Sequence, residues 1–170
     1  MDNFDNEIRD LATSVLEHCR AIGWKAATAE SCTGGLIAGA LTEIAGSSDV
    51  VDRGFVTYSN EAKMQMLGVP SETLEAHGAV SEETARAMAS GALENSDAAV
   101  TVAVTGVAGP GGGSAEKPVG LVHFAVATPD GVVAAHRIFE GDRGAVRHLT
   151  VLHALRMVLA RAEARSGTST

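Results

Sequence analysis

Residues 98–106, AAVTVAVTG, form an unbroken run of small apolar, β-branched and threonine side chains. The run is too short to cross a bilayer, carries no charge and ends on a glycine, so it predicts a strand buried on both sides. Such a strand needs cover on each face, the arrangement of helices packed against a sheet. Apolar residues make up 45% of the chain and aromatics only 4%, so Ala, Val, Leu and Ile must fill the core. At 170 residues the chain can bury that core as one domain without disulfide staples.

Helical spacing recurs at Ile8, Leu11, Ala12, Val15, Leu16 and Cys19, and Gly23 closes that first helix. KAATA is then a short buried strand that runs directly into SCTGG and a helix, LIAGALTEIA, expected to end at Gly46. VVDRGFVTYS predicts a strand and NEAKMQMLG a short helix capped by Asn60. Two more helices follow in SETLEAH and SEETARAMASGALEN, each opening with serine and acidic residues that suit the helix dipole. Beyond the buried run and a glycine-rich loop, GLVHFAVAT and VVAAHRIF predict a hairpin about Pro129, Asp130 and Gly131. A long helix from about Arg143 to Ala164 completes a single domain over 1–165, and 166–170 are expected to fray. This order predicts a three-layer α/β/α sandwich whose sheet is mixed but mostly parallel, since the late hairpin must be antiparallel.

The net charge of −8 and the absence of any basic cluster argue against nucleic acid as a partner. No segment has the length and apolarity of a membrane span, and the acidic start MDNFDNEIRD is not an export signal, so a cytoplasmic protein is expected. Cys19 and Cys32 are the only cysteines, and Cys19 lies on a helix's apolar stripe, which argues against a disulfide framework and against zinc held by CxxC pairs. The six histidines form no metal constellation: His18 and His77 fall on helices, His123 and His136 within the hairpin strands, and His148 and His153 are off any shared face.

TAESCTGG, Thr28 to Gly35, places Ser31 and Cys32 where a strand hands over to a helix. Ser31 fits either a helix cap or a nucleophile whose oxyanion the free N–H groups of the helix start would stabilise. Cys32 is ambiguous in the same way, as a thiol activated by a helix N-terminus or a small buried side chain. A nucleophilic serine needs a base, and none of the histidines is placed for it. Lysine serves only if it is desolvated enough to be neutral, and Lys25, Lys63 and Lys117 are the only lysines. If the strands before Ser31 and Tyr58 are parallel neighbours, their C-terminal ends bring Ser31, Tyr58 and Lys63 to one edge of the sheet. Otherwise Lys63 is a surface lysine on a short helix.

TGVAGPGGGS, Thr105 to Ser114, follows the most apolar strand with a density of glycine that suits close approach to a ligand. It has neither the GKS/T of a P-loop nor a following helix, and a flexible surface connection is the alternative. Arg143 and Arg147, four apart at the start of the last helix, share a face that fits an anion or simply solvent.

Five ordered stretches, AESCTGGLIAGALTEIAGSS, GFVTYSNEAKMQMLGV, GAVSEETARAMA, AVTGVAGPGG and KPVGLVHFAV, closely resemble the CinA C-terminal domain family, the competence/damage-inducible proteins. The resemblance covers nearly the whole chain. It implies an α/β/α sandwich resembling the anticodon-binding-domain architecture, and an amidohydrolase that deamidates nicotinamide mononucleotide to the nicotinate form and ammonia in NAD recycling. It also implies Ser31 as nucleophile and Lys63 as base, with Tyr58 close by, and N–H groups around Thr33, Gly34 and Gly35 for the oxyanion. Thr105, Gly106 and the loop glycines Gly109, Gly111 and Gly112 would line the nucleotide site, with Arg143 or the loop N–H groups on the phosphate. No metal or organic cofactor is required. Many members carry a further N-terminal domain resembling molybdopterin-binding proteins, and here a stand-alone form is expected. The expected partner is a small nucleotide, and exposed apolar helix faces predict a homo-oligomer. A binding module that breaks no bond, and an amidase or esterase for another substrate, are the alternatives.

Overall fold

The computed structural model describes residues 4–167. The first half of the chain comprises α1 (Asn6–Ala21), β1 (Ala26–Glu30), α2 (Leu36–Thr42), a 3-10 turn at Ser47–Asp49, β2 (Val51–Val56), α3 (Asn60–Leu67) and α4 (Ser71–His77). The second comprises α5 (Glu82–Glu94), β3 (Val100–Gly106), β4 (Leu121–Thr128), β5 (Gly131–Ile138) and α6 (Arg143–Gly167). This is the succession of helices and strands read from the sequence.

The five strands form one sheet in the order β2-β1-β3-β4-β5. β1 is parallel to both β2 and β3, whereas β4 is antiparallel to β3 and to β5, so β4 alone opposes the other four. The sheet is therefore mixed, as the late hairpin requires, with two parallel and two antiparallel pairings and four of its five strands sharing one direction. Thr128 pairs with Gly131 across the two-residue turn of Pro129 and Asp130.

Side chains alternate between the two faces of a strand, and here the faces carry different sizes of residue. Val100, Val102 and Val104 of β3, with Val122, Phe124 and Val126 of β4, pack in one core with Ile8, Val15 and Leu16 of α1, Ile37 of α2 and Leu155 of α6. On the opposite face the strands present alanine, at Ala29, Ala103, Ala125 and Ala127, against Met88 and Ala89 of α5, Leu67 of α3 and Leu74 of α4. The threonines that interrupt the buried run face this second layer: Thr101 Oγ1 donates to Ala89 O at 2.7 Å and Thr105 Oγ1 to Ala79 O at 2.8 Å. Their burial is thereby compensated. Two covered faces make the expected three layers.

Local ends depart from expectation where hydrogen bonding decides them. α2 stops at Thr42 rather than Gly46, because from Ile44 onward the N–H groups bond at the tighter i−3 spacing, to Leu41 and then, from Ser47, to Ile44. Ser59, not Asn60, caps α3, its Oγ accepting from Ala62 N at 3.0 Å. α6 runs on to Gly167, so Ser166 and Gly167 are helical, and the remainder of the segment expected to fray lies outside the described residues. Of the large apolar side chains left exposed among the described residues, Val56, Val133 and Ile138 lie on the edge strands β2 and β5, Tyr58 follows β2, and only Met66 lies on a helix.

Gly91 of α5 lies against the backbone of Leu67 at the end of α3, where an added Cβ would overlap the Leu67 carbonyl. Gly91→Ala should therefore destabilise by about 1–3 kcal/mol. Thermal unfolding should show a lower Tm, by roughly 2–4 °C per kcal/mol for a domain of this size.

Candidate active site

The connection leaving β1 passes over one face through α2 to β2, and the chain returns through α3, α4 and α5 over the other face to β3. The C-terminal ends of β1 and β2 thus lie side by side where the connections diverge, the position at which open α/β sheets bind ligands, with the end of β3 on the other side of β1. Ser31 is the first residue after β1, and its N–H still bonds to Val104 O of β3 at 3.1 Å. On the other side Thr57 N donates to Glu30 O at 2.9 Å, extending the β1–β2 pairing. The serine is thereby held by the sheet itself, 8% exposed at the floor of a cleft of about 210 Å³.

Lys63 reaches the same floor from α3. Long helical side chains lean toward the N-terminus of their helix, and this one runs back along α3 to its start. Its Nζ lies 3.0 Å from Ser31 Oγ, 2.9 Å from Thr57 O and 3.3 Å from Tyr58 O. The residue is 1% exposed, and no carboxylate is its ion-pair partner among the described residues. Burial accordingly pushes its pKa below the ordinary 10.5, with the neighbouring Cys32 opposing only in part. Nζ donates to all three oxygens in this arrangement, and once the amine loses a proton two N–H bonds can stay on the carbonyls while the lone pair accepts from the serine hydroxyl. The surface reading of Lys63 is excluded.

The turn beyond Ser31 is organised by a carboxylate. Glu30, the last residue of β1, is fully buried beneath the start of α2. Its Oε1 accepts from Thr33 Oγ1 at 2.6 Å and Ile37 N at 2.8 Å, and its Oε2 from Thr28 Oγ1 at 3.1 Å and Ala38 N at 3.0 Å. Gly35, in a left-handed conformation at φ 105°, occupies the N-cap position without a side chain to serve it. Glu30 therefore performs the capping that the sequence offered to Ser31, and Ser31 is free of that role. Arg147 of α6 holds the turn from behind, with Nε donating to Cys32 O at 3.1 Å and Nη2 to Thr33 O at 3.3 Å. Gly34 N bonds back to Ser31 O at 3.1 Å, which removes it as an oxyanion donor, while among the described residues no backbone carbonyl accepts from the Cys32 N–H, which sits against its own thiol.

The cleft is completed by Tyr58, Ala79, Val80, Thr105, Gly106, Ala108 and Arg143. Thr33 is buried with its hydroxyl on Glu30. The Tyr58 hydroxyl meets Arg143 Nη2 at 3.3 Å, so its ring forms part of the mouth, and Arg143 Nη1 donates to Gly109 O at 2.8 Å. Gly111 and Gly112 are exposed and outside the cleft lining. Burial pushes the Cys32 thiol up to about 11, against the lesser opposing charges of Arg147 and Lys63, so it is no thiolate. None of the histidines lines the cleft: His123 faces His136 at 5.4 Å, and His153 packs edge-on against Phe124 at 4.5 Å. No group of His, Cys, Asp or Glu among the described residues is arranged to hold a metal ion.

The family described as CinA C-terminal domain matches residues 8–162. The chain belongs to that family. The domain is 51% identical over 156 residues to a nicotinamide-nucleotide amidohydrolase PncC of Enterobacter agglomerans, covering 91% of this chain and 95% of that protein. It is 54% identical over 134 residues to a putative competence-damage inducible protein of Caldicellulosiruptor bescii, covering 79% of this chain but only 33% of that longer protein. The crystal structure of the competence/damage inducible protein CihA from Agrobacterium tumefaciens superposes with a TM-score of 0.91 at 57% identity, covering 94% of this chain and 98% of that one.

The CinA domain's site contains residues that the sequence pattern did not single out. Glu30 was visible only as an acid ending a buried strand, a placement that by itself calls for partners. Ala79, Val80 and Ala108 carry no chemical signal at all. In Glu30→Gln one acceptor oxygen becomes an NH2 group facing donors, so at least one buried N–H or hydroxyl loses its partner. The expected loss is about 1–3 kcal/mol, read as a lower urea midpoint with an unchanged m-value.

Proposed function

We propose that this domain hydrolyses the carboxamide of nicotinamide mononucleotide, giving nicotinate mononucleotide and ammonia through an acyl-enzyme on Ser31. The observation that carries the reading is the 3.0 Å contact between Ser31 Oγ and a buried Lys63 amine that no carboxylate among the described residues pairs with. Neutral Lys63 takes the hydroxyl proton as Ser31 Oγ attacks the carboxamide carbon. The Cys32 N–H, directly after the nucleophile, donates to the oxyanion of the tetrahedral intermediate. Lys63 then gives its proton to the departing nitrogen, which leaves as ammonia, and an ester remains on Ser31. Water, deprotonated by Lys63, attacks that ester, and collapse of the second intermediate releases the carboxylate and restores the serine.

The similarity to a nicotinamide-nucleotide amidohydrolase over nine-tenths of both chains supports this substrate. The nucleotide reading draws further support from a second cavity of about 480 Å³ that shares Ala108 and Arg143 with the cleft. With the carboxamide over Ser31, the ribosyl phosphate extends past the exposed Arg143 guanidinium into this space. Catalysis rests on one domain, residues 1–165, working in the cytoplasm. No helix of the described residues is long and apolar enough to cross a membrane. The chain acts without nucleic acid, as its net charge of −8 supports. It self-associates through apolar residues such as Val133 and Ile138, exposed on β5.

Ammonia release from nicotinamide mononucleotide, without added metal, should be abolished in Ser31→Ala and in Lys63→Ala. Binding of the nucleotide by the parent protein with no ammonia released would sink the hydrolase reading. The pH profile of kcat/KM should fall on the acid side as Lys63 gains its proton, with a midpoint below the 10.5 of an ordinary lysine. Arg143→Ala should raise KM by about tenfold with a smaller change in kcat, the magnitude of a lost charge-assisted contact. It should also narrow the preference for the nucleotide over its unphosphorylated riboside; an unchanged preference would remove Arg143 from the phosphate.

A further inference from the structure

Arg147 is a cation whose observed bonds are directed at backbone. Its Nε and Nη2 donate to the carbonyls of Cys32 and Thr33, at 3.1 and 3.3 Å, from a helix 114 and 115 residues away in sequence. It is half-buried, and no carboxylate is its ion-pair partner among the described residues. Drawing a guanidinium out of water to bond two peptide oxygens is unfavourable unless the bonds are well made. This is also a different fate from that of Arg143, four residues earlier, which bonds to Gly109 O and the Tyr58 hydroxyl at the cleft mouth.

The two carbonyls lie on the peptide units that follow Cys32 and Thr33. Each peptide is planar with its C=O and N–H opposed, so holding the oxygens fixes the rotation of the turn on the C-terminal side of Cys32. The Gly34 N–H bond to Ser31 O fixes the peptide on its N-terminal side, the one that carries the Cys32 N–H. Glu30 anchors the same turn through Thr33 Oγ1 and the start of α2. The Cys32 N–H is therefore clamped between restraints on both sides, with a formal positive charge behind it.

We propose that Arg147 is a positioning residue for the hydrolysis: by holding the Cys32 and Thr33 carbonyls it aims the Cys32 N–H at the developing oxyanion, and its charge favours that oxyanion. The role rests on the Ser31 reading above. An interaction of this kind matters more in the tetrahedral state than in the bound substrate, so its loss appears in kcat rather than KM. Removing an oxyanion donor outright typically lowers kcat by about 10²–10³, and loosening one should lower it by roughly 10- to 100-fold.

The test compares steady-state ammonia release from nicotinamide mononucleotide by Arg147→Met, Arg147→Lys and Ser31→Ala with that of the parent, each checked for folding by circular dichroism. Arg147→Met should lower kcat by that factor with KM within about threefold, and millimolar guanidinium should restore part of it. Arg147→Lys keeps the charge but cannot direct a planar fork at two carbonyls, so it should fall between Met and parent, and it serves if the Met variant fails to fold. Parent-like kcat in both arginine variants, with Ser31→Ala inactive, overturns the positioning role and leaves the hydrolase reading standing. A change confined to KM overturns it as well, since Arg147 would then act on ground-state binding. Full activity in Ser31→Ala removes the nucleophile itself, and the inference falls with it.

Discussion

The buried carboxylate of Glu30 is the constraint on which the site depends. Its two oxygens receive donors from the strand, from the turn and from the first turn of α2, so three pieces of chain that must meet are tied at one point. Because Glu30 is itself the last residue of β1, flanked by β2 and β3, that point is rigidly part of the sheet. Without it α2 would begin on a glycine that has nothing to offer the exposed N–H groups. The next residue would then have to serve as a cap. With Glu30 in that role, Ser31 is left with its hydroxyl directed at Lys63.

Lys63 works by the opposite logic. Glu30 is buried with a donor for each of its bonds, whereas Lys63 is buried with carbonyls and a hydroxyl and, among the described residues, no carboxylate in an ion pair. The first arrangement gives order; the second disfavours the charged amine and leaves the free base available to take a proton. The two residues stand on opposite faces of the sheet edge, Glu30 toward α2 and Lys63 on α3, and Ser31 lies between them. The alanines that line the second face allow α5 and α3 to lie close to the sheet, which brings a lysine stem within reach of the end of β1.

Much of this architecture was legible along the chain. The apolar run ending in Gly106, the first helix's spacing and the hairpin turn each appear in the structure as read, because burial period and turn chemistry are local properties. Helix ends were less legible: Gly46 looked like a stop signal, but the hydrogen-bond spacing had already tightened by Ile44, and Ser59 rather than Asn60 took the cap of α3. The glycine-rich loop was read as a unit, yet of its glycines Gly106 alone lines the cleft and Gly109 alone accepts from Arg143, while Gly111 and Gly112 face solvent. Composition marks a loop as adaptable but does not say which of its residues approach a ligand.

By itself the sequence determined the elements, their order and the family, together with two candidate groups, Ser31 and Lys63, whose chemistry complements each other. Those are consequences of patterns within a few residues and of motifs that recur in order. The tertiary structure alone decided what each group does. Ser31 and Lys63 are 32 positions apart, and Arg147 reaches Cys32 across 115. A lysine's basicity depends on which charges the fold keeps away from it, and a serine's freedom depends on another residue satisfying the helix behind it. Both are properties of surroundings assembled from distant parts of the chain, which no local pattern specifies.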